Sequence, residues 1–149
     1  MRYLSARART KREVENYLDE RQFDEVTVQE TVDRLMELGL LDDARFAEEF
    51  VQSRLRTKPI SRASLSRQLS AHFVPRDLIE SALTYVTPEM ERGNCASVLR
   101  KYRRQLDRLP TEERNERIRQ RAVSRGFMYS DIALGMEQMR NEEHSDADS

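Results

Sequence analysis

Few residues in this chain carry chemistry for nucleophilic, acid–base or metal work: His72, His144, Cys95 and the adjacent pair Asp42-Asp43. Only two histidines are present, one of them in an acidic terminal stretch, so no His-based acid–base pair or metal cluster can be assembled. Cys95 falls on an apolar stripe with Leu99, Tyr102 and Leu106, where a buried core thiol is the expected state. Asp42 and Asp43 precede a helical pattern; aspartate there satisfies orphan amides, and adjacent side chains diverge rather than share a cation. No glycine-rich phosphate loop occurs. The reading is not an enzyme, with no metal and no cofactor.

Arginine dominates instead, and it is segregated. The net charge of −1 combines 26 basic and 27 acidic side chains. Arg2, Arg7, Arg9, Lys11 and Arg12 open the chain without an acid, and residues 13–49 then hold 13 acids against Arg21, Arg34 and Arg45. Arg54, Arg56, Lys58, Arg62, Arg67 and Arg76 form a second block without acids, and residues 100–125 carry ten basic side chains against four acids. Alternating blocks suit contact with a polyanion on one surface and with protein on another. The contact candidates are the six side chains from Arg54 to Arg76, together with Arg117, Arg119, Arg121 and Arg125 on a weakly apolar helix. Competing explanations are a complemented helix C-terminus for Arg54 and Arg56, and local ion pairs to Glu112, Glu113 and Glu116 for the second group.

The elements that must position these side chains are helical. Four glycines and four prolines are too few for a turn-rich β architecture, and 36% charged residues suit amphipathic helices. No apolar run approaches a membrane span and no hydrophobic signal region opens the chain, so a cytoplasmic protein is expected. Thr10-Lys-Arg-Glu13 and Thr27-Val-Gln-Glu30 have the form of capping boxes, and Thr87-Pro88 places a cap before proline; Ser61, Thr111 and Ser130 are further candidate caps. Gly39 is placed to close a helix in the left-handed conformation, with Leu40 folding back onto Leu35. The punctuation predicts helices at about 10–21, 27–38, 43–57, 61–72, 76–86, 88–107, 112–125 and 130–140, with a further helical turn in residues 2–9. Phe46, Phe50 and Leu55 mark an inner stripe on the third of these.

The helices repeat. Leu18, Phe23, Val28 and Val32 return as Leu69, Phe73, Ile79 and Leu83, then as Ala122, Phe127, Ile132 and Met136, the aromatics lying 50 and 54 residues apart. The expected architecture is all-α: an elongated array of three tandem three-helix repeats over 1–58, 59–109 and 110–140, the last truncated, followed by a disordered acidic tail at 141–149.

The segment Gly39-Leu-Leu41-Asp42-Asp43-Ala-Arg45-Phe46-Ala47-Glu-Glu-Phe50-Val51 resembles the central signature of the RecX family, small bacterial regulators of the recombinase RecA. The resemblance extends over about residues 4–136: Arg7-x-Arg9-Thr-Lys-Arg-Glu-Val14 resembles the family's entry into its first repeat, and Arg125-Gly126-Phe127 the turn of its third. It departs at Gln22-Phe23 and His72-Phe73, where a glycine is usual, and at Lys58-Pro59-Ile60, which lacks an expected glycine. A non-glycine residue in a left-handed or otherwise strained conformation is expected at those turns, at a modest energetic cost. The resemblance implies a monomer that binds the RecA filament, meets single-stranded DNA as part of it, and suppresses ATP hydrolysis, strand exchange and coprotease activity. A helix-turn-helix transcriptional regulator is the alternative, since three-helix units also present recognition helices.

Overall fold

The computed structural model describes residues 3, 4 and 7–148; Arg2 of the first basic block lies outside them. Among the described residues there is no strand, and Tyr3 and Leu4 are helical. Eight helices follow: α1 Lys11–Glu20, α2 Glu25–Glu37, α3 Asp43–Thr57, α4 Arg62–Ala71, α5 Arg76–Leu83, α6 Pro88–Gln105, α7 Thr111–Ser124 and α8 Tyr129–Asp148. The chain divides into two units, one of Met1–Ser53 and Ser66–Thr84, the other of Arg54–Leu65 and Tyr85–Ser149.

Helix starts follow the caps in part. Thr10 makes the expected capping box with Glu13, and the Thr87 hydroxyl accepts from the Met90 amide with Pro88 in the first turn. α2 begins earlier than predicted: Asp24, not Thr27, is its cap, and its carboxylate accepts from the Thr27 amide at 2.7 Å. That bond holds the Asp24 carboxyl below its ordinary range. Pro110 precedes α7 where Thr111 was expected as the cap, and Ser130 lies within α8 rather than before it. α8 also runs on to Asp148, so the acidic segment expected to be disordered is helical through that residue.

Helix ends reveal the repeat's true register. Four helices close with the same pair of bonds, the Schellman arrangement. In the first, the amides of Phe23 and Gln22 donate to the carbonyls of Leu18 and Asp19; Leu40 and Gly39 do so to Leu35 and Met36. Val74 and Phe73 do so to Leu69 and Ser70, and Phe127 and Gly126 to Ala122 and Val123. The left-handed residues are Gln22 (φ 66°), Gly39 (φ 71°), Phe73 (φ 63°) and Gly126 (φ 88°). Phe73 therefore matches Gln22 and Gly126, one place earlier than the aromatic alignment put it. With Leu18, Leu69 and Ala122 as anchors, spacings become a constant 51 and 53 residues through Val28, Ile79 and Ile132. Phe127 is buried, but Phe23 and Phe73 are half-exposed. Leu41 rather than Leu40 returns to the core beside Leu35, and Leu40 is exposed.

Two left-handed glycines differ in what surrounds them. A Cβ at Gly39 would meet nothing within 4 Å, whereas one at Gly126 would lie 2.9 Å from Ala63 Cβ and 3.0 Å from Ser61 Oγ. Gly39→Ala is expected to cost about 1 kcal/mol of backbone strain, and Gly126→Ala about 2–3 kcal/mol, since overpacking adds to the strain. Chemical denaturation of both variants checks the order; equal losses would show that the Ala63 contact relaxes freely.

The first unit holds a core of Val14, Leu18, Val28, Val32, Leu35 and Leu41, with Tyr17 packed against it. The second centres on Cys95, Leu99, Tyr102, Ile118, Phe127, Ile132 and Met136. α6 and α8 approach closely because Gly135 has no side chain: a Cβ there would fall 2.5 Å from Leu99 Cδ1.

Candidate nucleic-acid interface

The signature segment is a set of ties within the first unit. Asp42 caps α3 by accepting from the Arg45 amide at 3.0 Å, while the Arg45 guanidinium donates to the Gly39 carbonyl at 2.8 Å. Asp43 turns elsewhere and accepts from the Lys11 amide at 2.9 Å, so one aspartate caps its own helix and its neighbour holds the start of α1. Burial raises the Asp43 carboxyl pKa, partly opposed by that bond. Leu41 and Ala47 are buried. Phe46 and Phe50 are only half-buried; their rings lie 5.9 Å apart and 5.3 and 5.4 Å from His72. His72 Nδ1 lies 3.1 Å from Glu13 Oε2, and its carbonyl accepts from the Thr10 hydroxyl at 2.6 Å. Sequence reasoning missed this cluster, since nothing in the spacing of Thr10, Glu13 and His72 announces it.

The central basic block does not behave as one group. Arg56 in the last turn of α3 and Lys58 just after it are exposed, and Arg54 is half-buried with its carbonyl accepting from the Lys58 amide at 3.2 Å. Arg62 is built into the second unit: its amide donates to Glu91 Oε2 at 2.6 Å and its guanidinium to the Val86 carbonyl at 2.7 Å. The same stretch is tied by Asn94 to the Ile60 carbonyl at 3.1 Å and by the Ser61 hydroxyl to the Arg125 carbonyl at 2.6 Å. Ser61 also accepts from the Ser64 amide, as expected of a cap. Arg67 is exposed on α4, and Arg76 is exposed with an i,i+4 pair to Glu80 at 3.2 Å.

On α7 the arginines sort by helical phase. Ile118 and Ala122 face the core, and Arg114 is buried beside them, a placement the charge pattern did not reveal. Arg117 pairs with Glu113 at 3.1 Å and Arg119 with Glu116 at 3.8 Å, the local pairing weighed from the sequence. Arg121 and Arg125 instead lie 5.5 and 5.9 Å from the Tyr102 ring centre, within cation–π range. A second guanidinium–aromatic ladder occupies the first unit: Arg9 lies 4.0 Å over Tyr3, Tyr3 stacks on Tyr17 at 4.0 Å, and Arg21 lies 4.5 Å over Tyr17. The Tyr102 ring is buried beneath the exposed Arg121 and Arg125, and Arg9, Tyr3 and Tyr17 are half-buried, so what these arrangements offer a ligand is the guanidinium edge, suited to phosphates.

Cys95 is fully buried, and burial, with the charges of Asp131 and Glu91, pushes its thiol up to about 12, so it stays protonated and inert at neutral pH. Among the described residues no group of three His, Cys, Asp or Glu side chains could hold a metal, and no helix is long and apolar enough to cross a membrane.

Comparison with known proteins meets this geometry from outside. A family model described as the second three-helix domain of RecX matches residues 42–83, and one for the first three-helix domain matches residues 1–35. The regulatory protein RecX of Mycobacterium ulcerans (strain Agy99) is 36% identical over 124 residues, 83% of this chain and 70% of that protein. The regulatory protein RecX of Oceanobacillus iheyensis is 28% identical over 144 residues, covering 97% of this chain and 53% of its own length. The crystal structure of RecX from Lactobacillus salivarius superposes with a TM-score of 0.83 at 23% identity, over 93% of this chain and 90% of that one.

Proposed function

Because this chain belongs to the RecX family, we propose that it is a regulatory binding protein of the RecA filament on single-stranded DNA. It acts in the cytoplasm as a monomer, lowering the filament's ATP hydrolysis, strand exchange and coprotease activity, and performs no catalysis of its own. The observation that carries this is the match over most of the chain to proteins named regulatory protein RecX, with Gly39 to Val51 present in this sequence. Two physical features support it. Gly39, Asp42, Asp43 and Arg45 of the signature are engaged in bonds within the first unit. Outside the signature, exposed Arg56, Lys58, Arg67, Arg121 and Arg125 supply cations for phosphates or for an acidic protein face.

Single-stranded-DNA-dependent ATP hydrolysis by the host recombinase, titrated with this protein, tests the reading. Inhibition is expected at well below one copy per recombinase monomer. Unchanged hydrolysis at equimolar protein would sink it, and selective binding to particular duplexes without recombinase would favour a transcriptional regulator instead.

A further inference from the structure

Along one side of the second unit, α6 and the last turns of α8 enclose a groove whose two walls carry opposite charge. The α6 side presents Arg100, Arg103 and Arg104, with Asp107 just past the helix end; the α8 wall presents Met139, Glu142, Glu143 and Asp146. Arg100, Arg103 and Arg104 share a face because they are three and four residues apart. Two carboxylates are seated on this basic face: Glu142 Oε1 lies 3.3 Å from an Arg100 guanidinium nitrogen, and Glu143 Oε1 lies 2.7 Å from Arg103 Nε. Arg103 is also held at 2.6 Å by Asp107, two residues past the end of α6.

We propose that the acidic end of α8 is a built-in competitor that occupies a binding face on α6 for the phosphodiester backbone of single-stranded nucleic acid. Three features of the geometry lead there. First, α7 and α8 already pack on α6 through Leu99, Ile118 and Met136, so the helix end beyond Met139 is not needed to complete that core. Two ion pairs tie it to α6. Second, carboxylate oxygens meet the guanidinium edges as phosphate oxygens would, and arginine is the side chain best shaped for either. Third, the Arg100–Glu142 pair is displaceable. Side chains of Arg100 and Glu142 are 46% and 57% exposed, so water and salt screen their attraction. A polyanion, which gains by releasing condensed counterions, can therefore replace carboxylates that have no such gain. The acidic turn sets a threshold: weak or brief encounters with a strand leave it in place, and a strand held nearby at high local concentration lifts it.

This rests on the proposed engagement of a filament that carries a single strand. The test omits recombinase, so its failure and failure of the ATP-hydrolysis assay are distinguishable. Anisotropy of a fluorescent oligothymidylate is titrated with wild-type protein and with Glu142→Gln/Glu143→Gln. Glu30→Gln/Glu48→Gln, at exposed positions on α2 and α3, makes the same change in net charge. The groove variant is expected to bind at least fivefold tighter in low salt, with its salt slope steepened by about 1.4 for two added phosphate contacts. The control is expected to shift by less than twofold. Adding Arg100→Gln/Arg104→Gln to the groove variant should abolish the gain, with helical content unchanged by circular dichroism. Three results would overturn the proposal: no tightening, equal tightening in the control, or a gain that survives loss of both arginines.

Discussion

Leu99→Ala is expected to lower the unfolding free energy by about 3–5 kcal/mol, among the larger losses a single truncation can cause here. Leu99 is fully buried in a cluster contributed by α6, α7 and α8, and the backbone of α8 at Gly135 already lies against its methyl groups. The void left by truncation can close only if helices already in contact shift together, which is the condition for a large cavity cost. In a chain of this size each kcal/mol moves the thermal midpoint by roughly 2–4 °C, so the loss is readily measured by calorimetry. Gly135→Ala should be destabilising alone, by about 1–3 kcal/mol, because its methyl collides with Leu99. Together the two should cost less than the sum, since the new methyl enters the space the leucine vacates. Strict additivity would show that the helices relax independently and that this contact is not close in solution. Phe46→Ala and Phe50→Ala should cost less than Leu99→Ala, about 1–3 kcal/mol each. Both rings are half-exposed; they stack on one another and meet the His72 ring tilted and edge-on rather than filling the interior.

That ordering reverses what the sequence implied for α3, and the reason is instructive. Helical spacing puts Phe46, Phe50 and Leu55 on one face, but spacing cannot say how deep that face is buried. Ala47 and Val51, one position along, take the fully buried line. The register of the repeats slipped for a related reason. Aligning Phe73 with Phe23 and Phe127 matched aromatic to aromatic across the turns. The backbone needs a left-handed residue there, and Phe73 fills that place in an exposed position, as Gln22 does in the first turn and Gly126 in the third. Sequence shows residue type, whereas hydrogen bonding from Leu18, Leu69 and Ala122 shows register. Local signals were read best where chemistry is confined to four residues, as at Thr10, Thr87 and Gly39. The helical end of α8 was missed because its partners, Arg100 and Arg103, lie about forty residues earlier.

The basic side chains show the same limit. Their blocks are visible in the sequence, but their availability is not. Arg62 and Arg114 are as basic as Arg56, yet one holds a turn through its amide and guanidinium and the other is buried beside Ile118. Charge reversal at Arg62 would report on folding before binding, so it is unsuited to testing an interface.

A cleaner expectation follows for the side chains that remain outside. Arg56→Gln/Lys58→Gln should weaken inhibition of the recombinase on the order of tenfold at low salt, because two phosphate contacts change the salt slope by about 1.4 on single strands. Both positions are exposed and lie outside the core, so stability should move by no more than about 0.5 kcal/mol for each. Arg117→Gln/Arg119→Gln removes the same formal charge but should weaken inhibition less, since Glu113 and Glu116 already neutralise those guanidiniums at 3.1 and 3.8 Å. A strand that binds them must first break those pairs, which offsets part of the gain. Inhibition curves at several salt concentrations, with circular dichroism of each variant, decide between the pairs. A larger loss from the α7 variant, with Arg56→Gln/Lys58→Gln unchanged, would move the interface to the face that carries Arg121 and Arg125 over Tyr102. Equal and salt-independent losses would mean that these cations act on an acidic surface of the partner through close pairing rather than on phosphates, because only counterion release imposes the logarithmic dependence on salt.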